Sequence, residues 1–444
     1  MEAFCHFVLK NPSRISMIFA FSTSLAPQLT YEGEDGLRCE TNDVLQLLAE
    51  VLTKAENLTR LRIDFLEDTL CQSPELFSAL ASIRTLKTMK TSDASYRTTQ
   101  LLLSCSSSLE VVDLCMGGSD CEPPAMLSKF QNSLTVLHLS YHESDFGYDH
   151  GIIFPCVRSL CLRHIAWWNP TLRGLVYTFP NLHRLNWDYE EDSDEEEMEE
   201  VRERDLAMRY DGWPSLDMVL CCAQWAYALA FRSSVRYWLC NYFCPPENWH
   251  YVRAALMEIR PTHLRLTIHP VGLQSLDQLA YIFPEVGITH LHLEVQLVDG
   301  PCISSPKQYI ETLLTKLGEG ISVLTQLQFF SACFDFRTGD SKIVANRSAV
   351  VEIEALRLVD FVGRGLHLAR HAQQMTHACF QVSSSREIIV GEYTRFIRTA
   401  MPHDNSNPTV EILTTTEGRN LLAESPVGGG DADSCFAFTR AIYT

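Results

Sequence analysis

Short runs of apolar residues recur along the chain with a fixed internal spacing. In each run, apolar residues occupy the first, fourth and sixth positions, as in LTRLRI from Leu58 and LTVLHL from Leu134. One residue separates the last two apolar positions, and this alternation is typical of a half-buried strand. Each run therefore predicts a short strand that buries one face and exposes the other.

The runs are spaced regularly enough to be copies of one unit. They begin at Ile15, Leu58, Ile83, Leu109, Leu134, Val157, Leu182, Val235, Pro261, Ile288, Leu324 and Ile353. From Leu58 to Leu182 the starts advance by 25, 26, 25, 23 and 25 residues, and the next step, to Val235, is 53 residues, or two periods. A period in the twenties is typical of a leucine-rich repeat.

The segments between the predicted strands have the spacing of helices. After Asn42 and Asp43, apolar residues recur at steps of three and four through Leu52. Residues 74–80, 171–179, 275–283 and 306–317 have a similar pattern.

These patterns predict an α/β leucine-rich-repeat solenoid over residues 1–393: a curved horseshoe with parallel strands on the concave face and helices on the convex face. The alternative is a doubly wound α/β domain, whose units are longer and do not repeat one template.

Two regions depart from the template. Residues 190–200 contain nine carboxylates in eleven positions, which predicts a solvated acidic loop inserted at about 188–210. Ser193 in this loop resembles an acidophilic-kinase site, and an inert insertion is the alternative. Beyond residue 394 the template is lost, so residues 394–444 are predicted to be a poorly ordered tail. A cap for the last repeat is predicted within residues 386–398.

Charge and cysteine usage narrow the classes of function. The net charge is −19 and the 36 lysines and arginines are spread along the chain, which argues against a nucleic-acid partner. The 16 cysteines lie mostly within apolar runs, which favours reduced thiols in the cytoplasm or nucleus. We interpret the apolar segment 15–26 as a first repeat strand rather than a signal peptide, and we expect a monomer without a membrane span.

The residues between the inward-facing positions are expected to form a protein-binding concave face. Ten polar residues among them are our candidate contacts: Arg62, Asp113, His138, Arg163, Arg184, Asp188, Arg265, His290, His292 and Glu294. Binding energy concentrates in a few aromatic or arginine anchors, so Arg163, Arg184 and Arg265 are the leading candidates. The alternative for each is an ordinary solvated side chain.

Metal and catalytic sites are weighed from residue type and spacing. His263, His290, His292 and Glu294 are types that bind zinc, but alternation on a strand puts His290 and His292 nearly 7 Å apart, so we expect no metal. Cys240 and Cys244, near His250, match no standard zinc spacing and are expected to be a buried reduced pair.

The chain contains no G-x-S-x-G, H-E-x-x-H or G-x-x-x-x-G-K-[ST] motif, so we predict no catalytic residue and no cofactor. A hydrolase hidden in a degenerate α/β fold is an alternative that requires a deep pocket with serine or cysteine beside histidine.

The N-terminal segment FCHFVLKNPSRISMIFAF is followed, after a spacer, by VLQLLAEVLTKAENLTRLRIDF. This order, together with the Phe-Pro pairs in FPCVRSLCL, TFPNLHRLNW and YIFPEVGITHLHL, resembles the F-box and leucine-rich-repeat proteins of mushroom-forming fungi over residues 1–360. The resemblance implies a ubiquitin-ligase receptor, in which the F-box binds a Skp-type adaptor and the repeats hold the protein to be ubiquitinated.

The chain departs from that family because nothing before Leu58 matches the helical F-box with its opening Leu-Pro pair. We therefore expect adaptor binding only if an F-box lies upstream. The alternatives are a relative that lacks the box and a stand-alone interaction scaffold unrelated to ubiquitin.

Overall fold

A computed structural model describes most of the repeat region. The described residues are 1–24, 40–117, 122–140, 151–163, 172–188, 195–207, 212–231, 233–270, 272–298, 306–337, 359–372, 374–384, 393–400, 409–414, 416–417 and 420. The chain divides into two compact units, of which the first comprises Met1–Asp194 and Ala207–Trp213 and the second Glu195–Leu206 and Pro214–Thr444.

Strands and helices alternate in the first unit. Its strands are β1 (Ala20–Ser24), β2 (Arg60–Asp64), β3 (Thr88–Ala94), β4 (Val111–Met116), β5 (Val136–Ser140), β6 (Ser159–Arg163) and β7 (Arg184–Asp188). Its α-helices are α1 (Glu2–Leu9), α2 (Pro12–Ile15), α3 (Glu40–Lys54), α4 (Leu66–Gln72), α5 (Pro74–Ser82), α6 (Tyr96–Ser104), α7 (Pro123–Leu127) and α8 (Leu172–Thr178). Each strand pairs in parallel with the next one along the chain.

The second unit continues the same alternation. Its strands are β8 (Ser215–Leu220), β9 (Ser234–Cys244), β10 (His263–Ile268), β11 (His290–Val298), β12 (Phe329–Arg337), β13 (His377–Ser384), β14 (Tyr393–Ala400) and β15 (Thr409–Leu413). Its α-helices are α9 (Glu195–Ala207), α10 (Ala223–Ala228), α11 (Trp249–Ile259), α12 (Gly272–Leu279), α13 (Pro306–Ile321) and α14 (Phe361–His371). Strands β8 to β13 pair in parallel, each with the next.

The repeated template explains this arrangement. The fourth residue of each copy lies beside its counterpart on the next strand, so that Leu61, Met89, Val112 and Leu137 form one buried row. Burying an aliphatic side chain of this size contributes about 1.5–3 kcal/mol. A single repeat cannot bury its apolar row alone, and stacking the repeats makes the rows continuous. The predicted α/β solenoid class is therefore confirmed in both units.

Some template positions were assigned in the wrong phase. Three copies begin three residues later than predicted, with Ile18, Leu86 and Leu327 in place of Ile15, Ile83 and Leu324. The earlier residues are also buried, because the turn before each strand contributes a core residue, and so the two phases look alike in the sequence. Two further copies, LDMVLC from Leu216 and MTHACF from Met375, were missed. The copy predicted at Ile353 lies outside the described residues.

The acidic segment differs from the predicted loop. Residues 195–207 form helix α9, and Met198, Val201 and Asp205 are buried along one side of it. These three positions are spaced by three and four residues, as a helix that packs on a core requires. Residues 189–194, including the predicted kinase site Ser193, and residues 208–211 lie outside the described residues.

The predicted irregular tail also contains regular structure. Strand β14 pairs antiparallel with β13, and β15 pairs antiparallel with β14. Residues 394–400 and 409–413 of the predicted tail therefore lie in strands. The change from parallel to antiparallel pairing coincides with the loss of the template. Of the helices that the structure describes, none has the length and apolar character needed to cross a membrane.

Candidate protein-binding face

The strand side chains that alternate with the core positions form the outer face of each unit's sheet. In the first unit, cross-strand pairing aligns them in columns. The first column is Arg60, Thr88, Val111, Val136, Ser159 and Arg184, and the central column is Arg62, Lys90, Asp113, His138, Cys161 and Asn186. A third column, Cys115, Ser140, Arg163 and Asp188, runs along β4 to β7.

A charged cluster occupies the middle of the central column. The Lys90 ammonium lies 2.6 Å from Oδ2 of Asp113, and Nδ1 of His138 lies 3.9 Å from the same oxygen. The exposed fractions of the Lys90, Asp113 and His138 side chains are 28%, 13% and 5%. Burial of Asp113 acts to raise its pKa, but the hydrogen bonds and charges of His138 and Lys90 outweigh burial and hold the pKa well below its usual value. Asp113 is therefore ionised and fixed in place.

A buried thiol lies next to this cluster in the same column. The Asn186 amide Nδ2 donates to Sγ of Cys161 over 3.2 Å. Burial raises the pKa of Cys161 to about 11, although the nearby Arg163 guanidinium acts in the opposite direction. At neutral pH the thiol stays protonated, and a protonated thiol is a poor nucleophile.

Exposed cations lie toward the edges of the same face. Arg62 makes a bidentate pair with Asp64, with both N–O distances at 3.2 Å, and its side chain is 51% exposed. Arg60 on β2 and Arg184 on β7 are exposed at the two ends of the first column.

Over strands β2 to β7, five cationic residues of the outer face stand against four carboxylates. The cations are Arg60, Arg62, Lys90, Arg163 and Arg184, and the carboxylates are Asp64, Asp93, Asp113 and Asp188. The described strand residues of this face thus have a positive balance on a chain whose net charge is −19.

The outer face of the second unit is different in character. A row of rings runs along it through Tyr237, His263, His290, Phe329 and His377. Successive ring centroids are 4.5, 4.2, 5.9 and 6.4 Å apart, and the His263 and His290 rings are stacked with 13° between their planes.

Each histidine of this row follows a threonine that fixes its orientation. In one example, Thr289 Oγ1 lies 3.0 Å from the Thr262 carbonyl oxygen and 2.9 Å from Nδ1 of His290. The hydroxyl has one hydrogen, which it donates to the carbonyl, so it accepts from an Nδ1–H of the histidine. Thr262–His263 and Thr376–His377 repeat the geometry.

His263, His290 and His292 are held in their neutral form by their lowered pKa values. Burial lowers the pKa of His263 to about 4 and, together with the charge of Arg265, lowers that of His292 to about 3. Burial also lowers the pKa of His290.

Arg265, one of the expected anchors, is part of an interior ion pair. Its guanidinium lies 3.3 Å from Oε2 of Glu294, and the two side chains are 11% and 15% exposed. His292, in the same column as Arg265, is also buried. These three candidate contacts are thus largely covered.

Among the described residues, no group of three histidine, cysteine or acidic side chains has the geometry to hold a metal ion. The stacked His263 and His290 rings place their nitrogens side by side rather than converging on one point. Cys240 and Cys244 are buried free thiols, whereas His250 is exposed. Burial raises the pKa of both thiols.

One groove of about 280 Å³ lies near the C-terminal ends of α3 and α5. Its lining includes Glu56, Ser82 and Arg84 but neither a cysteine nor a histidine. This groove therefore lacks the histidine beside serine or cysteine that the hydrolase alternative requires.

All ten predicted contacts lie on strand positions that alternate with the core, six in the first unit and four in the second. The structure brings Asp113 and His138 together, and it pairs Arg265 with Glu294. Sequence reasoning missed Lys90, because its copy was assigned in the wrong phase. It also missed the row of rings. The sequence feature that could have indicated this row is the Thr-His pair at the start of three strands, where the histidine is the first strand residue.

Comparison of the sequence with protein-family models and with curated proteins found no match.

Proposed function

We propose that the chain is a protein-recognition module that binds a partner through the outer face of its first unit. The observation that carries this proposal is the aligned array of polar and charged side chains across β2 to β7, with half-buried Val111 and Val136 among them. Extended surfaces of this kind are the usual binding sites of solenoid proteins. An arginine beside apolar contacts is a common anchor at protein interfaces.

The first unit suits this role better than the second because of its exposed arginines. Asp113 and His138 of the first unit are largely covered, as are Arg265, His292 and Glu294 of the second. Arg60, Arg62 and Arg184 of the first unit are exposed. A side chain that is already buried against its own fold has little surface left to bury against a partner. The leading anchors are therefore Arg184 and Arg62, with Arg163 beside them.

A binding role fits the chemistry of the buried thiols better than a catalytic one. Burial raises the pKa of Cys161, Cys221 and Cys240, which keeps these groups as neutral thiols rather than reactive thiolates.

The finer proposal is that the partner is a protein destined for ubiquitination and that the chain is a substrate receptor, or a relative of one that lacks the F-box. The support for it is the sequence resemblance over residues 1–360. Cytoplasmic or nuclear localisation is part of the same proposal, and it is supported by the free thiols among the described cysteines.

Affinity capture from cells tests the recognition role. Tagged wild type is compared with Thr88→Glu/Ser140→Glu, which places two charges on the outer face, and with Leu103→Glu/Tyr177→Glu, which places them on exposed helix positions. We expect a defined partner to be lost at least tenfold in the first variant and retained in the second. Equal recovery with all three proteins would refute binding through this face.

Co-purification with a Skp-type adaptor tests the link to ubiquitin. The chain is assayed as given and after extension to any upstream in-frame coding sequence. Binding by the extended form alone supports the receptor proposal. Binding by neither form refutes it and leaves recognition without ubiquitination.

A further inference from the structure

The first column of the first unit has a cation at each end and an uncharged stretch between them. Arg60 and Arg184 are exposed, Thr88, Val111 and Val136 are half-buried, and Ser159 is buried. The two arginines lie on β2 and β7, which are five strand-to-strand steps apart.

The separation of the two arginines sets the size of a ligand that contacts both. At about 4.8 Å per step, the Cα atoms are roughly 24 Å apart across the sheet. An extended peptide rises about 3.3 Å per residue and points alternate side chains to one side, so residues six positions apart face the same way at about 20 Å. The length of the two arginine side chains covers the remaining few ångströms.

The uncharged stretch complements the middle of such a peptide. The two side chains at positions two and four after the first acidic residue face Val111 and Val136, which are apolar and half-buried. A small β-branched or apolar side chain can bury the remaining apolar surface of these valines, whereas a lysine there would meet the positive balance of the face.

Charge complementarity indicates that the two end residues of the bound peptide are acidic. The described strand residues of this face are positively balanced on a chain of net charge −19. The outer face of the second unit, with its neutral histidines and its internal Arg265–Glu294 pair, offers no such balance.

We propose that the face binds an extended segment of the partner protein that carries two acidic residues six positions apart, with small apolar residues between them. This inference rests on the proposed function and narrows it to one class of ligand. Arginine forms bidentate hydrogen bonds with carboxylates, which gives the contact direction as well as charge.

Fluorescence polarisation with labelled peptides tests the inference on the full chain. The probe is a Glu-Thr-Val-Thr-Val-Thr-Glu peptide, and a permuted peptide of the same composition has its two glutamates five positions apart, on opposite sides of an extended chain. A third peptide has lysine in place of both glutamates. We expect the probe to bind at least tenfold more tightly than either control peptide.

Two protein variants with the same change of net charge complete the design. Arg60→Glu/Arg184→Glu is expected to lose the preference for the probe, and Arg84→Glu/Arg97→Glu, whose arginines are exposed outside the outer face, is expected to keep it. Equal binding of probe and permuted peptide, or retention of the preference by Arg60→Glu/Arg184→Glu, would overturn the inference.

The partner found by affinity capture separates this failure from failure of the proposed function. If Arg60→Glu/Arg184→Glu still recovers that partner while Thr88→Glu/Ser140→Glu does not, the face binds a protein whose recognition is not acidic. If neither variant changes the recovery, the recognition role itself fails.

Discussion

Lys90 on β3 and Asp113 on β4 are cross-strand neighbours, and their charged atoms are 2.6 Å apart in a site that is mostly closed to solvent. His138 on β5 is the next residue of the same column. The three side chains link three consecutive repeats on the outer face of the sheet. Removing one member of such a cluster leaves the charges and hydrogen-bonding groups of the others without a partner in a largely buried site.

Asp113→Asn should therefore destabilise the fold. We expect a loss of about 1–3 kcal/mol in the free energy of unfolding, because the Lys90 charge loses its nearest partner in a largely buried site. Urea denaturation followed by circular dichroism measures the loss. The matched control is Glu110→Gln, which breaks the Lys87–Glu110 pair immediately before the same two strands, where both side chains are about half exposed. Such a pair contributes about 0–1 kcal/mol, and an equal loss in both variants would contradict the account.

The low pKa of Asp113 also predicts how this stabilisation depends on pH. The folded-state pKa lies below the unfolded value of about 3.9, so the stabilisation is fully present above about pH 4 and is lost as the pH falls through the folded pKa. The stability difference between wild type and Asp113→Asn should be constant from pH 7 to 5 and shrink below pH 4. Denaturation series at several pH values measure it, and a difference that grows on acidification would refute the assignment.

His292 should make the second unit less stable in acid. Its folded-state pKa is about 3, against about 6.5 when unfolded, so below pH 6.5 the unfolded chain binds a proton that the folded chain does not. Stability then rises with pH from about 3 to 6.5, by up to about 1.4 kcal/mol per pH unit for one such histidine. His292→Gln should reduce the slope of the unfolding free energy against pH, measured between pH 6 and 4, by up to about 1.4 kcal/mol per pH unit. An unchanged slope in His292→Gln would contradict the assignment.

Glu67 stabilises the N-terminus of a neighbouring helix. Its carboxylate on α4 accepts hydrogen bonds from the backbone N–H groups of Ser95, Arg97 and Thr98 at 3.1, 2.7 and 2.8 Å, at the start of α6. Glu67→Ala should cost about 1–2 kcal/mol, the usual range for a lost N-cap. Asp68→Ala changes the exposed neighbour on the same helix and should cost far less. Thermal unfolding of the two variants measures the contrast, and equal losses would show that the cap contributes nothing of its own.

Arg202 fixes helix α9 to helices α10 and α11 of the same unit. Its guanidinium pairs with Glu258 on α11, donates to the Tyr227 carbonyl oxygen and lies 4.0 Å from the centroid of the Tyr227 ring. Arg202→Ala should release the helix and raise amide hydrogen exchange in residues 198–206 by at least tenfold. Glu203→Ala, at an exposed position of the same helix, is the control, and unchanged exchange in Arg202→Ala would show that the apolar contacts of Met198 and Val201 hold α9 alone.

The fold class could be predicted from the sequence because the same apolar spacing recurs in each repeat. Where a single copy was ambiguous, the prediction failed, since Ile83 and Leu86 are both buried and only the cross-strand pairing decides which one belongs to the strand phase. That error hid Lys90, and with it the charged cluster. In α9 the density of glutamates concealed the spacing of Met198, Val201 and Asp205. Burial of Arg265 and His292 depends on their neighbours in three dimensions, which no spacing along the chain reveals.

Site-specific photo-crosslinking tests binding through the outer face most directly. A photoreactive phenylalanine analogue is placed in turn at Thr88 and Ser140 on the outer face of the first unit, and at Leu103 on α6. We expect the two outer-face positions to crosslink the same partner protein in cells and Leu103 not to crosslink it. Crosslinking of that partner from Leu103 alone would refute binding through the outer face.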